Sequence, residues 1–168
     1  MNTRTHDGIA TLTLPNEELL PFLIGELEQT PGKTVTLPLR GNSMRPFLKD
    51  GRDKALLTLP TNPQVGDAVL ARIGHSRYVL HRIVDIDGQR VTLRGDGNIA
   101  TEQCRLADVK ATAIGFYRHG SQRLDSTAGL KWRCYSWLWT RMLPLRRYLL
   151  FALNPHIPRR FKREATTI

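Results

Sequence analysis

Two residue types in this chain meet the needs of acyl-transfer chemistry, a hydroxyl nucleophile and an imidazole base. Ser43 lies in GNSMRP (residues 41–46), directly after an alternating strand pattern. A serine in a tight turn at a strand exit presents its hydroxyl outward, while its backbone N–H points at a bound carbonyl. Gly41, Asn42 and Met44 would support this loop. A Gly-Asn-Ser turn is also common in β proteins, so the segment alone favours an ordinary turn.

His81 is the candidate base. It lies in the alternating segment RYVLHRIVD (residues 77–85), where a histidine is most often a half-buried polar residue. Its imidazole titrates near neutral pH and acts as a base only beside a nucleophile and an orienting acid. Asp96, in RGDGN (residues 94–98), is a candidate for that acid, although Asp and Asn are also ordinary turn residues.

Hairpin geometry predicts that this acid lies beside the histidine. If Asp87 and Gly88 are the two central residues of a type I′ turn, His81 faces Arg94 on the next strand. Asp96 is then the diagonal neighbour of His81 on the same face, about 5–8 Å away and within side-chain reach. A turn of another length would shift the register by one residue and remove this contact.

The apolar pattern defines the elements that must position these residues. Leu19, Leu23 and Leu27 recur at helical spacing and predict a short helix over residues 16–29. Short strands separated by turn residues are predicted at 35–39, 54–59, 67–73, 77–85, 90–94 and 109–118. This spacing predicts a mainly β protein, with a small antiparallel domain that is coiled or partly closed to hide its edges. A short N-terminal helix and a C-terminal helical appendage complete it.

We divide the chain into three parts on composition. Residues 1–32 form an N-terminal helical extension, residues 33–120 the β domain, and residues 121–168 a basic, Trp-rich appendage.

The formal charge of +10 belongs mostly to the C-terminal part, since residues 126–168 carry +8 and residues 1–125 only +2. A nearly neutral body weakens any interpretation of the whole protein as a nucleic-acid clamp. The two cysteines form no CxxC pair or metal-ligand cluster with the histidines.

The appendage admits two interpretations. Asp125 or Ser126 could cap a helix that runs to about Met142, where Pro144 should kink or stop it. Aromatic residues mixed with Arg and Leu are typical of a helix at the surface of an anionic membrane; they are Trp132, Trp137, Trp139, Tyr135 and Tyr148. The same residues would equally suit packing on the β domain or on a partner protein. Nucleic-acid binding is not expected, because no reader motif is present.

Four segments in order resemble the boxes of type I signal peptidases, most closely the histidine-type branch of the endoplasmic reticulum and archaea. They are GNSMRP (41–46), GDAV (66–69), VLHRIV (79–84) and TLRGDGN (92–98). Autopeptidases of the LexA type share the family's fold but use lysine where this chain has His81. The resemblance covers roughly residues 35–118, and it implies the small coiled β fold of that family.

The resemblance also implies roles for individual residues. Ser43 matches the nucleophile and His81 the general base. Asp96 matches the aspartate of the family's KGDNN box, and Glu102 stands where a second family acid follows six residues later. The third catalytic member is therefore open between the two, and the hairpin geometry favours Asp96. Gly41 replaces the first serine of the family's SGSM, which leaves the N–H of Ser43 as the oxyanion donor. No metal or cofactor is implied.

The leading functional hypothesis is a serine endopeptidase that processes a precursor or leader peptide, bound as an added strand along an exposed sheet edge. The alternative is a non-catalytic module that binds such peptides with the same fold. A repressor-type autopeptidase ranks third, because the roughly 33 residues before the β domain are too few for a helix-turn-helix reader. With no signal-peptide pattern and no counterpart to the family's N-terminal anchor, we expect a cytoplasmic protein, free or attached to the inner membrane surface.

Overall fold

The structure is a computed structural model that describes residues 5–6, 9–10 and 16–141. Two helices are present in this part of the chain, α1 (Asn16–Gln29) and α2 (Leu130–Arg141). The strands are β1 (Thr5–His6), β2 (Ile9–Ala10), β3 (Thr34–Pro38), β4 (Lys54–Thr58), β5 (Ala68–Ile73), β6 (Arg77–Asp87), β7 (Arg90–Arg94), β8 (Glu102–Arg105), β9 (Val109–Tyr117) and β10 (Leu124–Ser126). A single 3₁₀ turn at Leu106–Asp108 joins β8 to β9.

Strands β3 to β10 form one curled, antiparallel half-barrel, which confirms the predicted mainly β class. The order across the sheet is β3-β4-β9-β5-β6-β7-β8. Strand β9 is long enough to serve two neighbours on one side, β5 along Val109–Thr112 and β10 along Gly115–Tyr117. Strands β1 and β2 form a separate two-stranded hairpin. Because β10 pairs with β9, the sheet continues beyond residue 120. The domain boundaries drawn from composition stay predictions.

Two clusters of buried side chains lie on opposite faces of the sheet. Strand β5 shows the division, because Leu70 belongs to one cluster and its neighbour Val69 to the other. The first cluster is covered by α1, through Ile24 and Leu27, and by Trp132 of α2. The predicted helix over 16–29 is therefore confirmed, and its apolar side covers the β domain instead of standing apart from it.

The predicted register of the β6–β7 hairpin is wrong by one residue at the candidate site. Asp87 pairs with Arg90, so the two turn residues are Gly88, with φ +55°, and Gln89. This moves the turn one residue later, and a bulge between Ile83 and Asp85 partly reverses the shift. Arg82 instead of His81 faces Arg94 as a result. A slip of one residue exchanges the two faces of a strand, so Asp96 lies on the side of Arg82.

The appendage also begins differently from the prediction. Asp125 and Ser126 belong to strand β10, so they do not cap the helix, which starts at Leu130. Trp132 and Trp139 are buried against the β domain, whereas Trp137 is exposed. Packing on the β domain, one of the two interpretations, therefore holds for the inner face of α2. Met142, Pro144 and Tyr148 lie outside the described residues. None of the helices within residues 16–141 has the length and apolar content to cross a membrane.

Candidate active site

A cleft of about 280 Å³ collects most of the residues that the sequence analysis selected. Ser43, His81 and Glu102 all line it, together with Gly41 and Met44. Its remaining walls come from the segment after β3, the start of β6 and the turn after β7; they are Leu39, Arg40, Leu48, Lys49, Arg77, Tyr78, Val79, Leu80 and Asn98. Residues from four separate parts of the sequence, 39–49, 77–81, 98 and 102, therefore meet at one depression in the surface.

The loop that carries Ser43 is fixed at its base by two aspartates. Asp50 accepts a hydrogen bond from the N–H of Gly41 at 2.9 Å. Buried Asp53 accepts bonds from the N–H of Lys49 at 2.9 Å and from the guanidinium of Arg52 at 2.6 and 2.8 Å. Gly41 adopts φ +86°, a conformation that favours glycine, and this supplies a reason for glycine at that position. The N–H of Gly41 is thereby occupied and does not point freely into the cleft.

The turn after β7 packs directly beneath Ser43. The carbonyl of Ser43 accepts a hydrogen bond of 2.7 Å from the N–H of Gly97. A methyl group placed on Gly95 would lie 2.4 Å from the Ser43 carbonyl and 3.0 Å from its Cβ. It would also lie 2.9 Å from the side-chain amide nitrogen of Asn98, so Ser43 and that amide approach the same point. Gly95 follows Arg94, the partner of Arg82, and so lies beside His81 in the extended register.

His81 is paired with Glu102. Its Nδ1 lies 3.0 Å from Oε2 of Glu102, and the other carboxylate oxygen contacts Nη2 of Arg77 at 2.5 Å. Among the described residues, neither Nδ1 nor Oε2 has an aligned hydrogen-bond partner, so this short contact is the main polar neighbour of each. The imidazole is buried, while Glu102 keeps about a quarter of its side chain exposed to the cleft.

The environment of His81 favours the neutral imidazole. Burial lowers its pKa below the ordinary value of 6.5, and the positive charge of Arg77 lowers it further. Glu102 and, to a smaller extent, Asp96 oppose this shift by stabilising the protonated form, but they do not reverse it. A neutral imidazole with its Nδ1 toward a carboxylate can offer Nε2 as a proton acceptor.

Asp96 does not fill the place that the hairpin argument predicted for it. Its two carboxylate oxygens receive Nε and Nη2 of Arg82 at 2.9 and 2.7 Å, in a bidentate pair that is almost fully buried. Oδ2 also accepts the hydroxyl of Tyr135 at 3.2 Å. Of the two acids left open by the sequence, Glu102 lies against Nδ1 of His81 and Asp96 binds the neighbouring arginine.

Helix α2 closes the other side of this buried pair. Ser136 accepts Nη1 of Arg82 at 2.7 Å and donates to the carbonyl of Gly66 at 2.9 Å. Trp139 donates its indole N–H to the carbonyl of Asp96 at 3.0 Å, and the Arg82 guanidinium lies 4.7 Å from the ring centre of Trp132. The helix therefore seals the ion pair from water and fixes the backbone of the turn that supports Ser43.

One wall of the cleft is an unpaired strand edge. Strand β6 pairs with β5 along Arg77–Arg82, but its pairing with β7 begins only at Arg82. Within the described part of the chain, no strand thus covers residues 77–81 on the side opposite β5. Such an edge presents unpaired backbone N–H and C=O groups to an incoming strand.

Sequence reasoning missed Arg77 and Asn98, and it placed Asn42 among the loop residues of the site. Asn42 lies outside the cleft lining, and its carbonyl accepts the N–H of Arg45 at 3.1 Å instead. Arg77 begins the strand that carries His81, but nothing in its spacing points to Glu102, which is 25 residues away. Asn98 could have been found as the last residue of the RGDGN turn, beside the acid that was considered.

The described residues contain no group of three or more His, Cys, Asp or Glu side chains placed to bind a metal ion. The cleft contains a hydroxyl, an imidazole and a carboxylate, and it lies beside an unpaired strand edge. Comparison with known proteins yields neither a matching family model nor a matching curated protein.

Proposed function

We propose that the protein is a serine endopeptidase that uses Ser43 as nucleophile, His81 as general base and Glu102 as the orienting acid. The observation that carries this proposal is the 3.0 Å contact between Nδ1 of His81 and Glu102 in the cleft that Ser43 also lines. The activity is the one implied by the resemblance to type I signal peptidases. Glu102 takes the place of Asp96 as third member because Asp96 is committed to Arg82.

The chemistry follows from the state of the imidazole. With its proton on Nδ1 toward Glu102, His81 has a lone pair on Nε2 that accepts the Ser43 proton as Oγ attacks the scissile carbonyl. The protonated imidazole then gives this proton to the leaving amine, which departs as the C–N bond breaks. Water attacks the resulting acyl-serine by the same route, releasing the acid and restoring the hydroxyl. Glu102 stabilises the imidazolium in both steps, and closure over a substrate would improve the alignment of their hydrogen bond.

Two donors are available for the oxyanion that forms at the attacked carbonyl. The N–H of Ser43 is the first, as expected for a nucleophile in a tight turn. The side-chain amide of Asn98 is the second, because it lines the cleft and approaches the same point over Gly95 as the Ser43 side chain. The N–H of Gly41 does not contribute, since Asp50 accepts it.

The substrate is an extended polypeptide bound by strand addition. The uncovered edge of β6 at residues 77–81 supplies backbone hydrogen bonds along the peptide. Four apolar side chains line the same cleft as Ser43; they are Leu39, Met44, Leu48 and Leu80. We therefore expect cleavage beside an apolar residue of an unfolded segment.

The experiment is cleavage of a mixed library of extended synthetic peptides, followed by mass spectrometry. Wild-type protein is compared with Ser43→Ala and with the matched control Ser76→Ala, which removes a hydroxyl from the exposed turn between β5 and β6. We expect new termini at common positions with wild type and Ser76→Ala, and none with Ser43→Ala.

Full-rate cleavage by Ser43→Ala would contradict the proposal. Peptides that bind the wild-type cleft without being cut, and that compete with one another, would instead favour the non-catalytic binding module. Binding is followed by fluorescence anisotropy of labelled library members on the same three proteins, so the two functions give different results.

A further inference from the structure

Helix α2 presents two faces of opposite character. Trp132, Ser136 and Trp139 are buried on the β domain. The opposite face holds large apolar side chains in contact with solvent, since Leu130, Trp137 and Leu138 are 77%, 59% and 48% exposed. Monomeric soluble proteins rarely expose such residues together, and clustered ones mark an interaction surface.

Basic side chains lie on the same side of the helix as this apolar group. At 100° per residue, Arg133 lies on one side of Trp137 and Arg141 on the other, and both are exposed. The Arg141 guanidinium lies 5.2 Å from the centre of the Trp137 ring. The helix contains no acidic residue, and Asp125 just before it is already paired with Arg118 at 3.1 Å. The surface is therefore both apolar and cationic.

We infer that this outer face of α2, formed by Leu130, Arg133, Trp137, Leu138 and Arg141, docks on the surface of an anionic lipid bilayer. An amphipathic helix with Trp and Leu on one side and flanking Arg and Lys is the pattern that binds at such an interface. Each basic residue near an anionic leaflet contributes about 1 kcal/mol, and the apolar side chains enter the headgroup boundary. The inference does not depend on the proposed peptidase activity.

Charge distinguishes an anionic bilayer from the other candidate occupants of this face. Residues 142–168 carry six Arg and Lys against one Glu, so they have the same sign as the face and are a poor match for it. A second copy of α2 has the same excess and would be repelled in the same way. Nucleic acid satisfies the charge, but the exposed leucines gain nothing from stacking on bases. An anionic bilayer matches both properties.

Docking through the outer face of α2 would also determine how far the candidate active site lies from the lipid surface. The inner face of α2 holds the Arg82–Asp96 pair and, through it, the turn beneath Ser43. A bilayer bound to the outer face would therefore keep the candidate active site at least one helix diameter, about 10 Å, from the lipid surface.

The test measures partition of the full chain onto vesicles by co-sedimentation. One set of vesicles is phosphatidylcholine alone, and the other is an equal mixture of phosphatidylcholine and phosphatidylglycerol. The face variant is Trp137→Ala/Leu138→Ala, and the matched control is Phe22→Ala/Ile99→Ala, which removes comparably exposed apolar side chains elsewhere. Thermal unfolding of each variant verifies that the fold is kept.

We expect binding to the anionic vesicles only, weakened at least about tenfold by the face variant and unchanged by the control. Arg133→Gln/Arg141→Gln should weaken it by about fivefold per charge. Equal binding to neutral vesicles, or anionic binding that survives the face variant, would overturn the inference. Tighter binding to an oligonucleotide than to the vesicles would overturn it in favour of nucleic acid.

A cysteine of the same helix gives an independent readout. Cys134 is exposed on the outer side of α2, whereas Cys104 is half-buried and burial raises the pKa of its thiol. A polarity-sensitive fluorophore on Cys134, in a Cys104→Ser background, should shift to the blue on anionic vesicles. An unshifted emission at lipid concentrations where the protein co-sediments would show that another surface binds.

Discussion

His81 and Arg82 are neighbours on one strand, and each holds a carboxylate, yet the two pairs have opposite character. The Arg82–Asp96 pair is bidentate, almost fully buried and completed by α2. The His81–Glu102 pair opens onto the cleft, and its carboxylate is shared with Arg77. A buried charge pair with all its partners holds structure in place, whereas a half-exposed pair with a neutral imidazole can exchange a proton. The first pair therefore supports the fold, and the second is suited to chemistry.

The largest difference between the two pairs is expected in catalytic activity, when Glu102 is substituted. Glu102→Gln keeps the shape of the side chain but removes the charge that stabilises the imidazolium, so kcat for peptide cleavage should fall by up to about 10⁴-fold. Stability measured by urea unfolding should change by less than about 1 kcal/mol, since the pair is partly solvated. Asp108→Asn, in the partly exposed pair with Arg72, is the control and should leave kcat unchanged. Retention of kcat within tenfold would remove Glu102 from the mechanism.

The second largest difference is expected in the free energy of unfolding, when Asp96 is substituted. Asp96→Ala leaves Arg82 buried without its partner, which should lower the free energy of unfolding by about 3–5 kcal/mol. Urea unfolding measures this loss, and Arg82→Met/Asp96→Leu should recover much of it because neither charge then remains buried. A single variant as stable as the wild type would show that the pair does not support the fold.

A smaller effect is expected at Gly95, in the turn that carries Asp96 and packs beneath Ser43. Gly95→Ala places a methyl group 2.4 Å from the Ser43 carbonyl, so Ser43 or the turn must move. A displacement of about 1 Å can cost about 10²-fold in rate, and we expect a loss of kcat/KM of that order. Gly25→Ala in α1 meets nothing within 4 Å and serves as the matched control. Equal activity of the two variants would show that the position of Ser43 does not matter to the reaction.

The smallest effect concerns how kcat/KM and stability depend on pH through the pKa of His81. Because burial lowers the pKa of His81 below 6.5, the acidic limb of kcat/KM should lie below pH 6.5. The unfolded chain binds the His81 proton more tightly, so His81 should reduce stability as the pH falls below 6.5 and leave it unaffected above. Arg77→Gln removes a charge that lowers this pKa, and pH–rate profiles should show its limb at higher pH than in wild type. A limb that moves to lower pH would contradict the assigned electrostatics.

The strands that are rich in apolar residues and bounded by turn residues were predictable from the sequence, and those that are not were missed. Strands β3, β4, β5, β6, β7 and β9 are of the first kind, and all of them are confirmed. Strand β8, with the sequence EQCR, has no apolar alternation and gains its structure by pairing along β7 at the sheet edge. Strand β10 is only three residues long and depends on the outer half of β9. Strands β8 and β10 therefore form because they pair with neighbouring strands, and not because of a local sequence pattern.

Three side chains of the candidate site were predictable from the sequence, but their pairing was not. Ser43, His81 and Glu102 were all selected, and they line one cleft. A regular ladder from a turn at Asp87 and Gly88 would place Asp96, and not Glu102, beside His81. The displaced turn and the bulge at Val84 altered the register by one residue, which turned Arg82 toward Asp96. A bulge depends on packing across the whole sheet, and the sequence carries no local signal for this one.

The central claim is that Ser43 and His81 act as one catalytic unit, and a double-mutant comparison tests it most directly. The measurement is kcat/KM of Ser43→Ala, His81→Ala and the combined variant on one peptide that the wild type cleaves. Residues that act together are strongly non-additive, so each single variant should lose at least about 10³-fold and the combination no more than either. Cleavage by Ser43→Ala at the wild-type rate, or losses that multiply in the combined variant, would contradict the account.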